Sequence, residues 1–85
     1  MIVDDEAFNQ FGLMTVMKTL RRFKGIARLI DLANDGTEAV KKARDGLTAD
    51  IDKGYVYCLV FMDLSMPIMD GYEATEALRA IYSQH

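Results

Sequence analysis

The chain is predicted to fold as an α/β protein with a parallel sheet, on three observations. Apolar runs ending at Val3, Leu32 and Met62 alternate with segments of helical spacing, and such alternation yields parallel strands joined by right-handed crossovers. The third run, Tyr57 to Met62, lacks polar alternation; a strand of that kind is covered on both faces, as in a parallel sheet. Two runs end in acid, with Asp4 and Asp5 after Ile2-Val3 and Asp63 after Met62. Open α/β sheets keep their chemistry at the carboxyl ends of the strands.

Residues 1–4 read as the tail of a buried first strand. Helical spacing follows from about Ala7 to Phe23, where Leu13, Val16, Met17, Leu20 and Phe23 fall within about 120° of arc and are expected to face the sheet. Gly25 should stop this helix after the basic stretch Arg21-Arg22-Phe23-Lys24, whose charge suits the negative end of the helix dipole. Ile26 to Leu32 is the second strand, interrupted by Arg28 and Asp31 and therefore placed towards an edge. Asp35 and Glu38 form a capping box for a short helix through Ala43. Arg44 to Gly54, with its glycines and clustered charges, reads as a long loop. After the third strand, Asp70 and Glu73 cap a helix with Ala74, Leu78 and Ile81 as its apolar stripe.

Eighty-five residues make one domain at most. A composition of 51% hydrophobic and 27% charged residues gives no case for disorder. The net charge of −3 leaves no electrostatic footprint for nucleic acid. The longest apolar stretch, Tyr55 to Met62, is far short of the roughly 20 residues that span a bilayer. The acidic N-terminus is unlike a secretory signal, and the lone Cys58 fits a reducing, cytoplasmic setting.

If the first and third strands are neighbours, Asp4, Asp5 and Asp63 converge at one sheet edge. Three carboxylates do not share a pocket ionised without a cation between them. A hard ion that takes oxygen ligands, most simply Mg²⁺, is the natural occupant. That arrangement suits phosphoryl chemistry with one carboxylate as nucleophile.

Val3-Asp4-Asp5-Glu6, then Asp35-Gly36-Thr37-Glu38-Ala39, then Met62-Asp63-Leu64-Ser65-Met66-Pro67-Ile68-Met69-Asp70-Gly71 together resemble the receiver domain of two-component and phosphorelay signalling. The resemblance covers nearly the whole chain but only about the first two-thirds of a family domain. It implies a flavodoxin-like fold, here a three-stranded partial form ordered 2-1-3 with helices on both faces. Two further strand–helix units of the family, carrying a hydroxyl residue and a lysine, have no counterpart in residues 1–85, and Lys53 lies in the wrong loop to replace that lysine. By the same resemblance, Asp63 is the phosphoacceptor for a phosphohistidine. Asp5 binds Mg²⁺ directly, Asp4 binds it directly or through water, and the backbone carbonyl of Ser65 adds an oxygen. Pro67 holds the loop open and Gly71 lets the next helix start tightly. The implied partner is a histidine kinase or a histidine phosphotransfer protein, with no nucleic acid or membrane contact by this segment. The chain would be cytoplasmic, whether in a stand-alone regulator or in a membrane-anchored hybrid kinase, and would not itself be an enzyme.

Two other classes share part of the pattern. A receiver remnant could serve as an unphosphorylated interaction module. A Mg²⁺-dependent phosphohydrolase of the haloacid dehalogenase type also uses a strand-end Asp, but its Asp-x-Asp pair is replaced here by Asp63-Leu64-Ser65. Other residues have plainer readings. Asp70 is a helix cap, Cys58 a buried apolar group, His85 a chain end, and Asn9 a structural hydrogen-bonding group near the acidic pair on the inner side of its helix. Phe11 and Met14 fall outside the predicted inner arc, among Gln10, Lys18, Arg21 and Arg22, and form a candidate docking surface for the phosphohistidine partner.

Overall fold

A computed structural model describes residues 1–20, 25, 29–48 and 54–83. Its elements in order are β1 (Ile2–Val3), α1 (Ala7–Thr19), β2 (Leu32–Ala33), α2 (Gly36–Thr48), β3 (Phe61–Met62) and α3 (Gly71–Ser83). The three strands form one parallel sheet ordered β2-β1-β3, so the predicted flavodoxin-like α/β arrangement holds. Ile2 is in register with Leu32 and Phe61, and Val3 with Ala33 and Met62. Hydrogen bonds extend the ladder past the strand ends, Asp4 N–H donating to the Ala33 carbonyl at 3.1 Å and Asp63 N–H to the Val3 carbonyl at 2.9 Å. The step from β1 to β2 runs one way across the sheet and the step from β2 to β3 runs back. Right-handed crossovers in opposite directions put α1 and α2 on opposite faces.

The central strand is the most buried part of the chain, with Met1, Ile2 and Val3 at 7, 3 and 1% exposure. Met1, Val3, Ala33, Ala39 and Met66 form the core cluster, and Tyr57, Val60 and Met62 pack against it. Helices α2 and α3 pack side by side, burying Ala39, Val40 and Ala43 on one and Ala74 and Leu78 on the other. Among the described residues no helix is long and apolar enough to cross a membrane.

The third helix agrees with its sequence reading: Asp70 Oδ1 accepts the Glu73 N–H at 2.9 Å, and Ala74 and Leu78 are buried with Ile81 half-buried beside them. Other elements differ. Helix α1 ends at Thr19, where Leu20 turns extended at φ −81°, ψ 129°. The Thr15 and Thr19 hydroxyls donate to the Phe11 and Val16 carbonyls, local bonds of the kind that compete with a regular helix. Residues 21–24, including the basic stretch and Phe23, lie outside the described residues. Gly25, at φ 82°, has the left-handed backbone of a chain turn.

The inner face of α1 also differs. Gln10 and Met17 are buried and Leu13 and Met14 half-buried, whereas Val16 and Leu20 are 56 and 45% exposed. Apolar residues occupy several sides of this helix, so they do not define one stripe. The polar Gln10 holds the inner position through its hydrogen bonds. Of the predicted second strand, residues 26–28 lie outside the described set; among the described residues the strand is Leu32–Ala33.

Helix α2 continues five residues beyond Ala43, through a segment predicted as loop. Gly46 does not break it but admits a neighbour. The Tyr55 N–H donates to the Gly46 carbonyl at 3.0 Å, and a Cβ on Gly46 would lie 2.6 Å from the Tyr55 ring. Strand β3 is shorter than the predicted Tyr57–Met62, and that segment is less covered than expected, with Leu59 and Phe61 at 51 and 38% exposure. It pairs with β1 on one side only among the described residues. Cys58, expected to be buried, is exposed for the same reason.

Candidate functional site

Two strand ends make the site. Asp4 leaves β1 half-buried, and its Oδ1 accepts the Glu6 N–H at 2.9 Å and the Asn9 Nδ2–H at 3.4 Å. Asn9 thus has the structural role read from sequence, although it is exposed and not on the inner side. Asp5 is exposed beside it. Across the β1–β3 ladder, Asp63 is half-buried, and its Oδ1 accepts the Ser65 N–H at 3.1 Å. One carboxylate oxygen from each of Asp4, Asp5 and Asp63 lies within 4.8 Å of the others.

That donor set fits a hard divalent cation. Two unit charges 4 Å apart repel by about 1 kcal/mol in bulk water and about 4 kcal/mol near a protein surface. A 2+ ion between them reverses the sign. Oxygen-only ligation with part of the shell left to water is the Mg²⁺ preference. Ser65 is exposed, and no hydrogen bond among the described residues takes up its carbonyl.

The loop after Asp63 is shaped by three residues. Met66 is 7% exposed and anchors the loop in the core cluster. Ile68 turns it at φ 72°, with its side chain 83% exposed. Gly71 closes it, its N–H donating to the Leu64 carbonyl at 3.3 Å. A Cβ on Gly71 would lie 2.2 Å from the Asp63 carbonyl oxygen, so no other residue lets α3 start so near the acidic strand end. Pro67 is exposed between these anchors.

Away from the acids, the Thr37 hydroxyl and then the Glu38 N–H hold the Asp35 carboxyl below its ordinary range. Burial, reinforced by a hydrogen bond to Asp31, pushes the Tyr57 hydroxyl up.

The two predicted docking residues separate. Phe11 is 69% exposed, while Met14 is half-buried on the side of Gln10 and Met17. Phe8, at 84%, stands on the outer side instead. Gln10, placed by its sequence position outside the inner arc with Lys18, is instead buried at 5% exposure; its spacing of three, four and seven to Leu13, Met14 and Met17 is the signal of an inner position. Ile68 and Tyr72, at 83 and 68% exposure, add apolar surface on the α3 side of Asp63.

Comparison with known proteins finds relatives along nearly the whole chain. The two-component response regulator ORR41 of Oryza sativa subsp. japonica is 33% identical over 81 residues, covering 95% of this chain and 55% of the regulator. The osmosensing histidine protein kinase SLN1 of Saccharomyces cerevisiae is 38% identical over 79 residues, 93% of this chain and 6% of the kinase. Two-component system protein A of Emericella nidulans is 38% identical over 79 residues, 93% of this chain and 10% of that protein. The chain therefore spans about half the length of the response regulator and a tenth or less of the other two. No protein-family model matches it, and no solved structure does.

Proposed function

The chain belongs to the receiver family of two-component and phosphorelay signalling, and from that premise we propose that it accepts a phosphoryl group from a phosphohistidine onto Asp63 with Mg²⁺ in the acidic cluster. The observation that supports this most directly is the convergence of Asp4, Asp5 and Asp63 oxygens within 4.8 Å. Asp5, Asp4 and Asp63 would hold the ion, with the Ser65 carbonyl as a further oxygen. Bound there, Mg²⁺ would neutralise charge on the phosphoryl oxygens and so let an anionic nucleophile approach phosphorus.

The remaining steps belong to the chain itself. An Asp63 carboxylate oxygen forms a bond to phosphorus while the phosphorus–nitrogen bond of the donor imidazole breaks, and the departing ring takes up a proton. The product is an acyl phosphate. The Ser65 N–H, bonded to Asp63 Oδ1, fixes the carboxylate plane during attack. Gly71 keeps the loop pressed on the strand end. The donor is a histidine kinase or phosphotransfer protein, in the cytoplasm, and this segment acts as phosphoacceptor rather than enzyme.

Mass spectrometry after incubation with Mg²⁺ and acetyl phosphate tests the reading. The chain should gain one phosphoryl group and Asp63→Asn should gain none, while Mg²⁺ binding by Asp63→Asn is weakened but retained, because losing a carboxylate removes both a ligand and a repulsion. Equal incorporation by both proteins would overturn the assignment of Asp63. No incorporation by either, with retained binding to a phosphohistidine protein, would favour an unphosphorylated interaction module. Partner docking is tested separately. Phe11 lies on α1, the helix that follows Asp4 and Asp5 in the chain, and is 69% exposed, and buried aromatics dominate interface energies. Phe11→Ala should slow transfer from a phosphohistidine protein and leave phosphorylation by acetyl phosphate unchanged. Equal losses with both donors would mean that Phe11 supports folding instead.

A further inference from the structure

Gln10 is the buried polar residue of the described structure, 5% exposed on the inner side of α1. Its Nε2 lies 2.7 Å from the Asp4 carbonyl oxygen, 3.1 Å from the Ala33 carbonyl oxygen and 3.1 Å from Asn34 Oδ1. Two N–H protons thus serve three acceptors. The shortest of these bonds goes to the residue that begins the acidic cluster.

The Asp4 carbonyl shares a rigid plane with the Asp5 N–H and the Asp5 Cα. Holding that carbonyl sets the direction in which the chain leaves β1, and so the place from which Asp5 offers its carboxylate. The side chain of Asp5 is exposed and, among the described residues, makes no hydrogen bond. The Asp4 carboxylate is tied by Asn9 and the Asp63 carboxylate by the Ser65 N–H, whereas Asp5 is restrained through its backbone, on one side by the Glu6 N–H bonded to Asp4 Oδ1 and on the other by the Asp4 carbonyl that Gln10 holds. The other two bonds of Gln10 go to the end of β2, and Asn34 N–H continues to Glu38 Oε2 at 3.0 Å. The anchorage therefore reaches the first turn of α2.

We infer that Gln10 is a positioning residue for the acidic cluster, fixing the Asp4–Asp5 peptide so that Asp5 presents its carboxylate to a divalent cation. This rests on the phosphoacceptor reading and extends it to a residue that touches neither ion nor phosphoryl group. Outer partners that orient metal ligands typically account for 10–100-fold in affinity.

The test compares the wild-type chain with Gln10→Met, which keeps length and apolar volume and removes the donors. Isothermal titration with Mg²⁺ well below the melting transition should give about 10-fold or weaker binding for Gln10→Met. Phosphorylation by acetyl phosphate should be slow at low Mg²⁺ and recover as Mg²⁺ saturates. A role confined to folding would lower the melting temperature and leave both the Mg²⁺ affinity of the folded chain and the Mg²⁺ dependence of the rate unchanged, which would overturn the inference. A measurement on the wild type covers the case in which the variant does not fold: the Gln10 side-chain amide resonances should shift on Mg²⁺ addition together with the Asp5 backbone amide. A Gln10 amide that stays put while Asp5 moves would also overturn it. Wild-type chain that neither binds Mg²⁺ nor is phosphorylated would remove the parent reading, whereas wild-type constants in Gln10→Met would remove the role of Gln10 alone.

Discussion

At Ile68 a β-branched side chain sits at φ 72° and is 83% exposed. Left-handed backbone crowds a substituted Cβ at roughly 1–2 kcal/mol, and so exposed a side chain has little packing to offset that. Asn tolerates this backbone far better. Ile68→Asn should therefore raise stability by about 0.5–1 kcal/mol, seen as a higher urea midpoint at unchanged slope. A lower midpoint would mean that the isoleucine packs in solution. The residues legible from sequence were those whose chemistry is local. Asp63 closes an apolar run, Asp70 stands three residues before Glu73, and Gly71 stands where no Cβ fits. Gln10 was not legible, because its role depends on acceptors from Asp4, Ala33 and Asn34 that meet only in the folded sheet.

Among the elements, α2 owes its start to a reciprocal cap. Asp35 Oδ1 accepts the Glu38 N–H at 2.8 Å and the Thr37 hydroxyl at 2.6 Å, while Glu38 reaches back to the Asn34 N–H. Asp35→Ala should cost about 1 kcal/mol. These bonds favour the ionised carboxylate, so its folded pKa lies below the unfolded value of 3.8. The contribution is present above pH 3.8 and is lost as pH falls through the folded pKa. The stability gap between wild type and Asp35→Ala should therefore be constant near neutrality and narrow below that pH; a gap that widens in acid would contradict the assigned cause. The cap was readable because capping is a property of four adjacent residues. The far end of α2 was not, since Gly46 reads as a breaker until Tyr55 is seen to lie against it. The inner face of α1 failed for a related reason. With Phe8, Phe11 and Val16 exposed and Met17 buried on the same helix, tertiary contacts and not apolar spacing choose the side that faces the sheet.

At the scale of the sheet, the strand that leads to the proposed phosphoacceptor is paired on one side only among the described residues. Phe61 and Asp63 donate their N–H groups to Met1 and Val3, and alternation along a strand turns the Val60 and Met62 N–H groups the other way. There they meet no strand among the described residues. Phe61 of the same strand lines, with Met17, Leu29, Val56 and Leu59 among others, a cavity of ≈590 Å³, with Leu29 at 79% exposure. A strand with a free hydrogen-bonding side and an apolar flank is a template for pairing with another copy, and a chain this short buries too little surface to resist it. The 85-residue chain should therefore unfold broadly on heating and associate as its concentration rises. Leu59→Lys tests the cause, because Leu59 is half in solvent in the segment that leads into β3, and a lysine charge at a sheet edge opposes pairing. Sedimentation should show less association for Leu59→Lys, with Mg²⁺ affinity unchanged because Leu59 precedes β3 whereas Asp63 follows it. A monodisperse wild-type monomer with a sharp melt would show that the edge is protected in solution, and association unaltered by Leu59→Lys would place the contact on another surface.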